Sequence, residues 1–290
     1  MSKQYNLCKC KAFVFDMDGT LILGNMALPC AKSTLRYLKA QGIKFKIITN
    51  NSSIPNNLHS KKLTKILNIN ITDSEILSSL DHVAKFLISN SLQNGVYPLL
   101  TSKSQEYLSN NYGIKFVFSK PNIILVGFDK ELTYRKLERA CRFVQNGVPW
   151  VLVHPDIRCP TAKGFIPDAG SIGKVIELTT GVKPIFTAGK PSKDFLLLVA
   201  EEFGINITQI CYVGDRLYTD VKMALESKAT PILLLSGETR ENDLRTLEHA
   251  TLRKLNVFRD LCELLAAIRG CYRYSHKNTL YFRSTFSNTR

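Results

Sequence analysis

Two carboxylates one residue apart, Asp16 and Asp18, directly follow a short apolar run over 12–15. The run is continuous and rich in aromatic and β-branched side chains, which predicts a buried strand of a parallel sheet. Open α/β sheets bind their ligands at the carboxyl ends of such strands. Two acids this close repel each other unless a cation or a shared proton lies between them. A solvated turn is the alternative, because Asp and Gly are common turn residues.

Further polar side chains follow other predicted strands and loops. Because the carboxyl ends of parallel strands meet at one edge of a sheet, we expect these side chains to converge with the first two acids. Acids, a lysine and a hydroxyl together suit phosphoryl transfer with Mg²⁺, which prefers carboxylate and water oxygens and offsets the charge of the acids and the phosphate. The side chains are Thr49 and Asn50, Lys190, and Asp215 with Asp220.

Four segments that follow one another between positions 11 and 237 resemble, as a set, the motifs of the haloacid-dehalogenase-like (HAD) superfamily. The second and fourth are similar to the forms found in its p-nitrophenyl-phosphatase/NagD branch, subfamily IIA. One segment alone would be a weak signal, but the ordered set is specific. The segments are Asp16-Met17-Asp18-Gly19-Thr20, Thr49-Asn50-Asn51, Gly189-Lys190-Pro191 and Gly214-Asp215-Arg216-Leu217-Tyr218-Thr219-Asp220.

The resemblance implies a role for each of these residues. Asp16 would be the nucleophile that forms an aspartyl-phosphate, which divides one difficult step into two easier ones. Asp18 would protonate the leaving oxygen and then take a proton from the attacking water. The implied metal ligands are Asp16, the backbone carbonyl of Asp18, and Asp215, with Asp220 and Gly214 in support, and the implied phosphate-binding residues are Thr49, Asn50 and Lys190.

The lengths of chain between the motifs indicate where a second domain is inserted. Only enough residues for a small hairpin over 21–28 and one helix lie between Asp18 and Thr49. A far longer segment separates Thr49 from Lys190, and it contains an α/β pattern of its own. That placement is similar to the C2-type cap of the NagD branch, which would exclude water and select the leaving group.

The predicted fold class is therefore α/β, with a Rossmann-like parallel-sheet core that has helices on both faces and a smaller α/β cap inserted into it. We expect the core over 1–78 and 184–290 and the C2-type cap over 79–183. The last residues, 271–290, have no helical or strand period and are expected to form a loosely held tail. The resemblance also implies a homodimer formed through the cap.

Local patterns predict several elements in addition. An apolar stripe at 3.6-residue spacing predicts a helix over 74–88. Turn residues over 154–171 predict loops. Thr219 is expected to cap a helix that ends at 226, and 257–268 have the pattern of a final amphipathic helix.

One cap segment departs from the family pattern. His154-Pro155-Asp156 resembles a family segment that usually begins with Asn, and Arg158 followed by Cys159 is not expected there. His154, Asp156 and Arg158 are therefore candidate substrate-side cap residues, and a plain loop role is the alternative for His154. Because of this departure, the substrate of a relative does not transfer to this chain.

The composition is that of a globular protein, with 44% hydrophobic and 22% charged residues among 290. No apolar run has the length of a membrane span. The first ten residues lack the apolar core of a signal peptide, so a cytoplasmic protein is expected. The eight cysteines show no Cys-x-x-Cys spacing, which argues against a zinc site and favours free thiols in a reducing compartment.

The formal net charge of +15 suits either a nucleic-acid-binding surface or an anionic substrate. The basic residues are spread along the chain without a block of like charges, which argues against a dedicated nucleic-acid role. A small phosphorylated metabolite is the expected partner, and no membrane partner is expected because no apolar run is long enough. The predicted function is that of a Mg²⁺-dependent phosphatase for a small phosphomonoester, such as a nucleotide, sugar or aryl phosphate. The alternative is a regulatory or nucleic-acid-binding module that keeps the phosphate site and acts through its basic surface or tail.

Overall fold

Buried apolar runs form the strands and amphipathic runs form the helices of the computed structural model, which describes residues 6–161 and 163–284. The first half of the chain contains β1 (Ala12–Asp16), β2 (Ile22–Leu23), β3 (Met26–Ala27), α1 (Ala31–Ala40), β4 (Lys44–Thr49), α2 (Asn56–Leu67), β5 (Ile76–Ser78), α3 (Ser79–Ser89), β6 (Asn94–Leu99), α4 (Ser102–Tyr112), β7 (Lys115–Phe116), β8 (Ile123–Val126) and α5 (Tyr134–Gln145).

The second half contains β9 (Trp150–Leu152), β10 (Arg158–Thr161), β11 (Gly164–Pro167), α6 (Ala169–Thr180), β12 (Phe186–Thr187), α7 (Lys193–Phe203), β13 (Ile210–Gly214), α8 (Lys222–Glu226), β14 (Thr230–Leu234), α9 (His249–Lys254), β15 (Asn256–Phe258) and α10 (Leu261–Ser284). Short 3-10 helices lie at Asn6–Lys9, Asp73–Glu75, Ile207–Gln209 and Glu241–Thr246, and a π-helical turn lies at Leu217–Val221.

The chain divides into two compact units. The first comprises the described residues of 1–45 and 203–290, and the second comprises 46–202. The two divisions fall within β4 and at the end of α7. The boundaries expected from the sequence, 78/79 and 183/184, stay a prediction.

In the first unit, four parallel strands follow one another in the order β15, β14, β13, β1. The register places Phe13 beside Cys211 and Phe15 beside Val213, and every residue of β1 is buried. Helix α1 buries Leu35 and Leu38 at i, i+3 spacing, as expected of an amphipathic helix. The carboxyl ends of β1 and β13 consequently lie side by side.

In the second unit, a parallel sheet has the order β12, β9, β8, β6, β7, and β4 pairs with β5 in parallel. One buried apolar cluster joins the sheet to α3 and α4, and a second joins it to α5 and α6. Helices therefore cover both faces of this sheet. The predicted α/β class, with parallel sheets flanked by helices, is confirmed.

The helix expected over 74–88 is wrong at its start. Ile76–Ser78 form strand β5, in which Ile76 and Leu77 pair with Ile47 and Ile48 of β4. Helix α3 begins only at Ser79, where Ser78 and Asp81 form a reciprocal capping box. The apolar pair fits a strand as well as a helix, and the neighbouring strand decides between them.

Three further expectations about local structure need correction. The turn-rich stretch before α6 contains the antiparallel hairpin β10–β11. Thr219 lies inside the π-helical turn rather than capping a helix. Helix α10 continues to Ser284, where a tail without regular structure was expected; 285–290 lie outside the described residues. In the part of the chain that the structure describes, we find no helix with the length and apolar character needed to cross a membrane.

Six of the eight cysteines form disulfides, so the expectation of free thiols is wrong for them. The partners are more than 200 residues apart in sequence, and only the folded chain brings them together. All three bonds lie within the first unit and join segments near its N-terminus to β13 or α10. The pairs are Cys8–Cys271, Cys10–Cys211 and Cys30–Cys262, and Cys141 and Cys159 form no disulfide.

Candidate functional site

Three buried carboxylates meet at the carboxyl ends of β1 and β13 in the first unit. Asp16 is the last residue of β1, and Asp215 directly follows β13. Asp16, Asp215 and Asp220 are each at most 5% exposed, and one oxygen of each lies within 4.8 Å of the others. We call these three residues the acid cluster.

Asp220 lies in the π-helical turn that follows β13 and is bound by three donors. Its Oδ2 accepts from the backbone N–H groups of Asp215 and Arg216, both at 3.1 Å. Its Oδ1 accepts from the hydroxyl of Tyr212 at 2.9 Å. Single π-helical turns are frequent at functional sites, and this one directs Asp220 back onto the backbone beside Asp215.

The negative charge of the acid cluster affects the pKa of the neighbouring Tyr212 hydroxyl. Burial raises the pKa of Tyr212 well above its usual value, and the charges of Asp220, Asp16 and Asp215 raise it further. The tyrosine therefore stays protonated and donates its hydrogen bond to Asp220 throughout the ordinary pH range.

A loop after β14 completes the surroundings of Asp215. The backbone N–H of Glu238 donates to Asp215 Oδ2 at 2.7 Å, and that of Thr239 donates to the Asp215 carbonyl at 3.1 Å. The Arg216 guanidinium pairs with the Glu238 carboxylate at 2.8 Å. The sequence did not single out this loop, because its contribution comes from backbone amides that no side-chain pattern marks.

Asp18 lies in the turn between β1 and β2, half-buried. The backbone N–H of Gly19 donates to the Ile22 carbonyl at 2.8 Å. Gly19 has a φ of +96°, and a Cβ there would come within 2.3 Å of Asp215 Oδ2. Only glycine fits this approach, which explains the glycine of the Asp16-x-Asp18-Gly19 motif.

The acid cluster fits a hard divalent cation. Carboxylate oxygens are the ligands that such cations prefer, and three buried carboxylates this close are costly unless a positive charge compensates them. The residues that could hold the cation are Asp16, Asp215 and Asp220.

In the second unit, Asn50 and Lys190 bind each other through a pair of hydrogen bonds. The Lys190 N–H donates to Asn50 Oδ1 at 2.7 Å, and Asn50 Nδ2 donates to the Lys190 carbonyl at 3.1 Å. Thr49 ends β4, and its hydroxyl accepts from the Asn51 N–H at 3.1 Å. All three predicted phosphate-binding residues, Thr49, Asn50 and Lys190, are buried.

The cap-loop residues expected at the substrate connect to this pair. Asn50 Nδ2 also donates to Asp156 Oδ1 at 3.2 Å, which fixes the orientation of the Asn50 amide. Fully buried His154 has Asp156 3.8 Å from Nδ1 and Asp168 3.5 Å from Nε2, and Ser52 Oγ lies 3.1 Å from Nε2. His154 thus lies inside the second unit, between the carboxylates of Asp156 and Asp168.

His154, Asp156 and Asp168 also offer atoms within 4.8 Å of one another. The two acids make their short approaches to opposite ring nitrogens of His154, whereas a metal ion would need both beside one nitrogen. Burial raises the pKa of Asp168, and the nearby His154 opposes that shift. This arrangement fits an imidazole between two carboxylates better than a metal site.

Arg158 lies apart from these contacts. Its side chain is exposed, and its guanidinium lies over the ring of Phe165 at 4.3 Å across the β10–β11 hairpin. Phe165 is itself 62% exposed. The structure therefore places an exposed cation and an exposed aromatic ring together on this hairpin.

Family models and relatives agree on the class of protein. The chain matches a model of haloacid dehalogenase-like hydrolases over 13–115 and a second HAD-hydrolase-like model over 187–264. The crystal structure of 4-nitrophenylphosphatase from Thermotoga maritima superposes with a TM-score of 0.85 at 35% identity, over 90% of this chain and 98% of that one. The chain belongs to the HAD-like hydrolases, as its motifs predicted.

Two curated relatives are less similar in sequence and cover most of the chain. An acid sugar phosphatase of Staphylococcus aureus is 28% identical over 92% of this chain and 99% of its own length. The 5′-nucleotidase YutF of Bacillus subtilis is 26% identical over 81% of this chain and 90% of its own length. The predicted class of enzyme, a HAD-like hydrolase, is confirmed, and each of these relatives is named as a phosphatase or a nucleotidase.

Proposed function

We propose that this protein is a Mg²⁺-dependent phosphatase that hydrolyses a small phosphomonoester through an aspartyl-phosphate on Asp16. The acid cluster is the observation that carries the proposal. Its three carboxylates are buried, and keeping them there without a cation would be costly. Membership in the HAD-like hydrolases and the similarity to phosphatases and a nucleotidase support the same reaction.

Asp16 and Asp18 share the two half-reactions. A carboxylate oxygen of Asp16 forms a bond to phosphorus while the bond from phosphorus to the leaving oxygen breaks, and Asp18 donates a proton to that oxygen. Asp18 then takes a proton from water, whose oxygen bonds to the same phosphorus. The Asp16–phosphate bond breaks, and inorganic phosphate and free Asp16 result.

The remaining residues bind the metal ion and the phosphoryl group. Asp16, the Asp18 carbonyl and Asp215 would hold Mg²⁺, which supplies positive charge against the phosphate, and Asp220 supports them. Thr49, Asn50 and Lys190 bind phosphoryl oxygens, with Lys190 balancing their charge. Half-buried Asp18 can reach solvent, which suits a residue that must exchange a proton with water.

Turnover of p-nitrophenyl phosphate tests this proposal. We expect the wild-type protein to release p-nitrophenol with Mg²⁺, to stop with EDTA and to recover when Mg²⁺ is restored. Asp16→Asn removes the nucleophile and should abolish turnover while the fold is retained. An Asp16→Asn variant that works at the wild-type rate would exclude the mechanism, and unchanged turnover in EDTA would exclude the metal.

The relatives support small phosphomonoesters as the class of substrate. They do not distinguish among the members of that class. A panel of sugar phosphates, nucleoside monophosphates and aryl phosphates, each measured for kcat/KM with Mg²⁺, separates them. The expected homodimer through the cap and the small phosphorylated partner stay predictions, as does cytoplasmic localisation.

A further inference from the structure

A histidine outside the family motifs binds the backbone beside Lys190. Nδ1 of His82, on α3, accepts a hydrogen bond from the Gly189 N–H at 3.0 Å. Both residues belong to the second unit and are buried. The bond joins the first turn of α3 to the Gly189-Lys190-Pro191 segment, which lies far from it in sequence.

Two aromatic rings fix the orientation of His82. The ring of Phe195 stacks on it with centroids 5.1 Å apart and an interplanar angle of 5°. The ring of Phe186 meets it edge-on, at 5.4 Å and 90°. A side chain packed in this way has little freedom to rotate, so the direction of its Nδ1 is set before any ligand arrives.

The imidazole of His82 is neutral, as an acceptor must be. Burial, together with the charge of Lys85, lowers the pKa of His82 to about 4. In the neutral ring the nitrogen that accepts the Gly189 N–H carries no proton, so the proton is on Nε2. At pH values above this pKa, Nδ1 is therefore unprotonated and can accept the hydrogen bond from the Gly189 N–H.

The segment that His82 binds has almost no other freedom. Gly189 has a φ of +70°, and a Cβ there would lie 2.5 Å from Asn50 Oδ1. The next residue, Lys190, is bound at its N–H and its carbonyl by Asn50. His82 and Asn50 thus fix consecutive peptide groups, and together they set the direction in which the Lys190 side chain leaves the backbone.

We propose that His82 is a positioning residue for phosphate binding, which holds the Gly189 amide so that Lys190 meets the phosphoryl group in one orientation. The inference rests on the proposed function, since it assigns phosphate binding to Lys190. A purely structural role, in which His82 fills space between phenylalanines, is the competing explanation. The two explanations differ in which substitution of His82 preserves phosphate binding.

Two substitutions separate these roles. His82→Phe keeps an aromatic ring between Phe195 and Phe186 but has no acceptor. His82→Asn loses the ring but places Oδ1 close to the former position of Nδ1, so the Gly189 N–H keeps a partner. His249→Asn, at an exposed histidine on α9, is the matched control.

The first measurement is the affinity of the folded protein for inorganic phosphate in the presence of Mg²⁺, by calorimetry. We expect His82→Phe to weaken binding about tenfold, as loss of one buried hydrogen bond does, and His82→Asn to bind more tightly than His82→Phe. The His249→Asn control should match the wild-type protein. Wild-type affinity in His82→Phe, or equal weakening in both variants, would overturn the inference.

The second measurement is hydrogen exchange of the Gly189 amide, which does not depend on phosphate. We expect this amide to exchange slowly in the wild-type protein and in His82→Asn, and at least about tenfold faster in His82→Phe. If wild-type protein binds no phosphate, the proposed function fails, and the exchange rates still decide whether His82 holds this amide. Equal exchange in all three proteins would refute the positioning role.

Discussion

Asp16, Asp215 and Asp220 are buried within a few ångströms of one another, and donors on the surrounding chain compensate part of their charge. Those donors are backbone amides and the hydroxyl of Tyr212, which binds Asp220 at 2.9 Å. At the scale of single residues, the acid cluster therefore depends on neighbours that do not take part in the proposed reaction.

Replacing Tyr212 by Phe tests this dependence. The Asp220 carboxylate would keep its backbone donors but lose the hydroxyl, at a site without solvent access. We expect the free energy of unfolding to fall by about 2 kcal/mol and Mg²⁺ affinity to change with it. Urea unfolding measures the first and calorimetric titration the second.

The matched control is Tyr134→Phe, because Tyr134 is 82% exposed. That substitution should leave both quantities unchanged. Equal stability of Tyr212→Phe and the wild-type protein would mean that the hydroxyl contributes nothing to holding Asp220.

Residues with a chemical signature could be found from the sequence, and residues without one could not. Asp16, Asp215 and Lys190 combine a reactive side chain with a place after a predicted strand or in a glycine-containing loop. Glu238 acts on Asp215 through a backbone N–H, which every residue except proline possesses. His82 was not singled out from the sequence, and only its distant partner, Gly189, shows what its nitrogen does.

At the scale of elements, α3 and β5 show how pairing overrides periodicity. Ile76 and Leu77 suit either structure, and their pairing with β4 makes them a strand. Strand β1 needed no such help, because its apolar run is short and ends at two acids. The sequence predicted loops where the hairpin β10–β11 lies, because its two antiparallel strands are short and lie among turn residues.

The burial of His82 on α3 predicts how the stability of the protein changes with pH. The pKa of His82 is about 4 in the folded protein and close to 6.5 when unfolded. Between these values the unfolded state binds the extra proton, so the stability contribution of His82 falls as the pH is lowered from 6.5 to 4. The loss should reach about 3 kcal/mol.

Urea unfolding of the wild-type protein and His82→Asn over this pH range measures the effect. The difference in their free energies of unfolding should shrink, or change sign, as the pH falls, because only the wild-type protein carries the buried histidine. His249→Asn should show a constant difference. A His82→Asn difference that stays constant with pH would contradict a buried neutral imidazole.

At the scale of the molecule, disulfides are the largest departure from what the sequence predicted. Each joins residues more than 200 positions apart, and cysteine spacing cannot reveal such pairs. Two of the bonds attach α10 to the segment before β1 and to the start of α1. Structural disulfides persist mainly in oxidising compartments, so the oxidation state of these cysteines bears on the predicted cytoplasmic localisation.

Thiol counting tests the disulfides. Alkylation of the unreduced, denatured protein should modify two cysteines, Cys141 and Cys159, and alkylation after reduction should modify all eight. Mass spectrometry of the intact protein gives both counts. We also expect reduction to lower the thermal midpoint, because long cross-linked loops constrain the unfolded chain. Eight modified cysteines without reductant would show that the thiols are free.

The central claim is that Asp16 becomes phosphorylated during turnover. Acid quenching of the enzyme during hydrolysis of p-nitrophenyl phosphate with Mg²⁺, followed by peptide mass spectrometry, tests it most directly. Wild-type protein and the control Asp194→Asn, at an exposed acid on α7, should gain the mass of one phosphoryl group on the peptide that contains Asp16. Asp16→Asn should gain none. Turnover in the wild-type protein without any phosphorylated Asp16 peptide, or the same peptide mass gain in Asp16→Asn, would contradict the account.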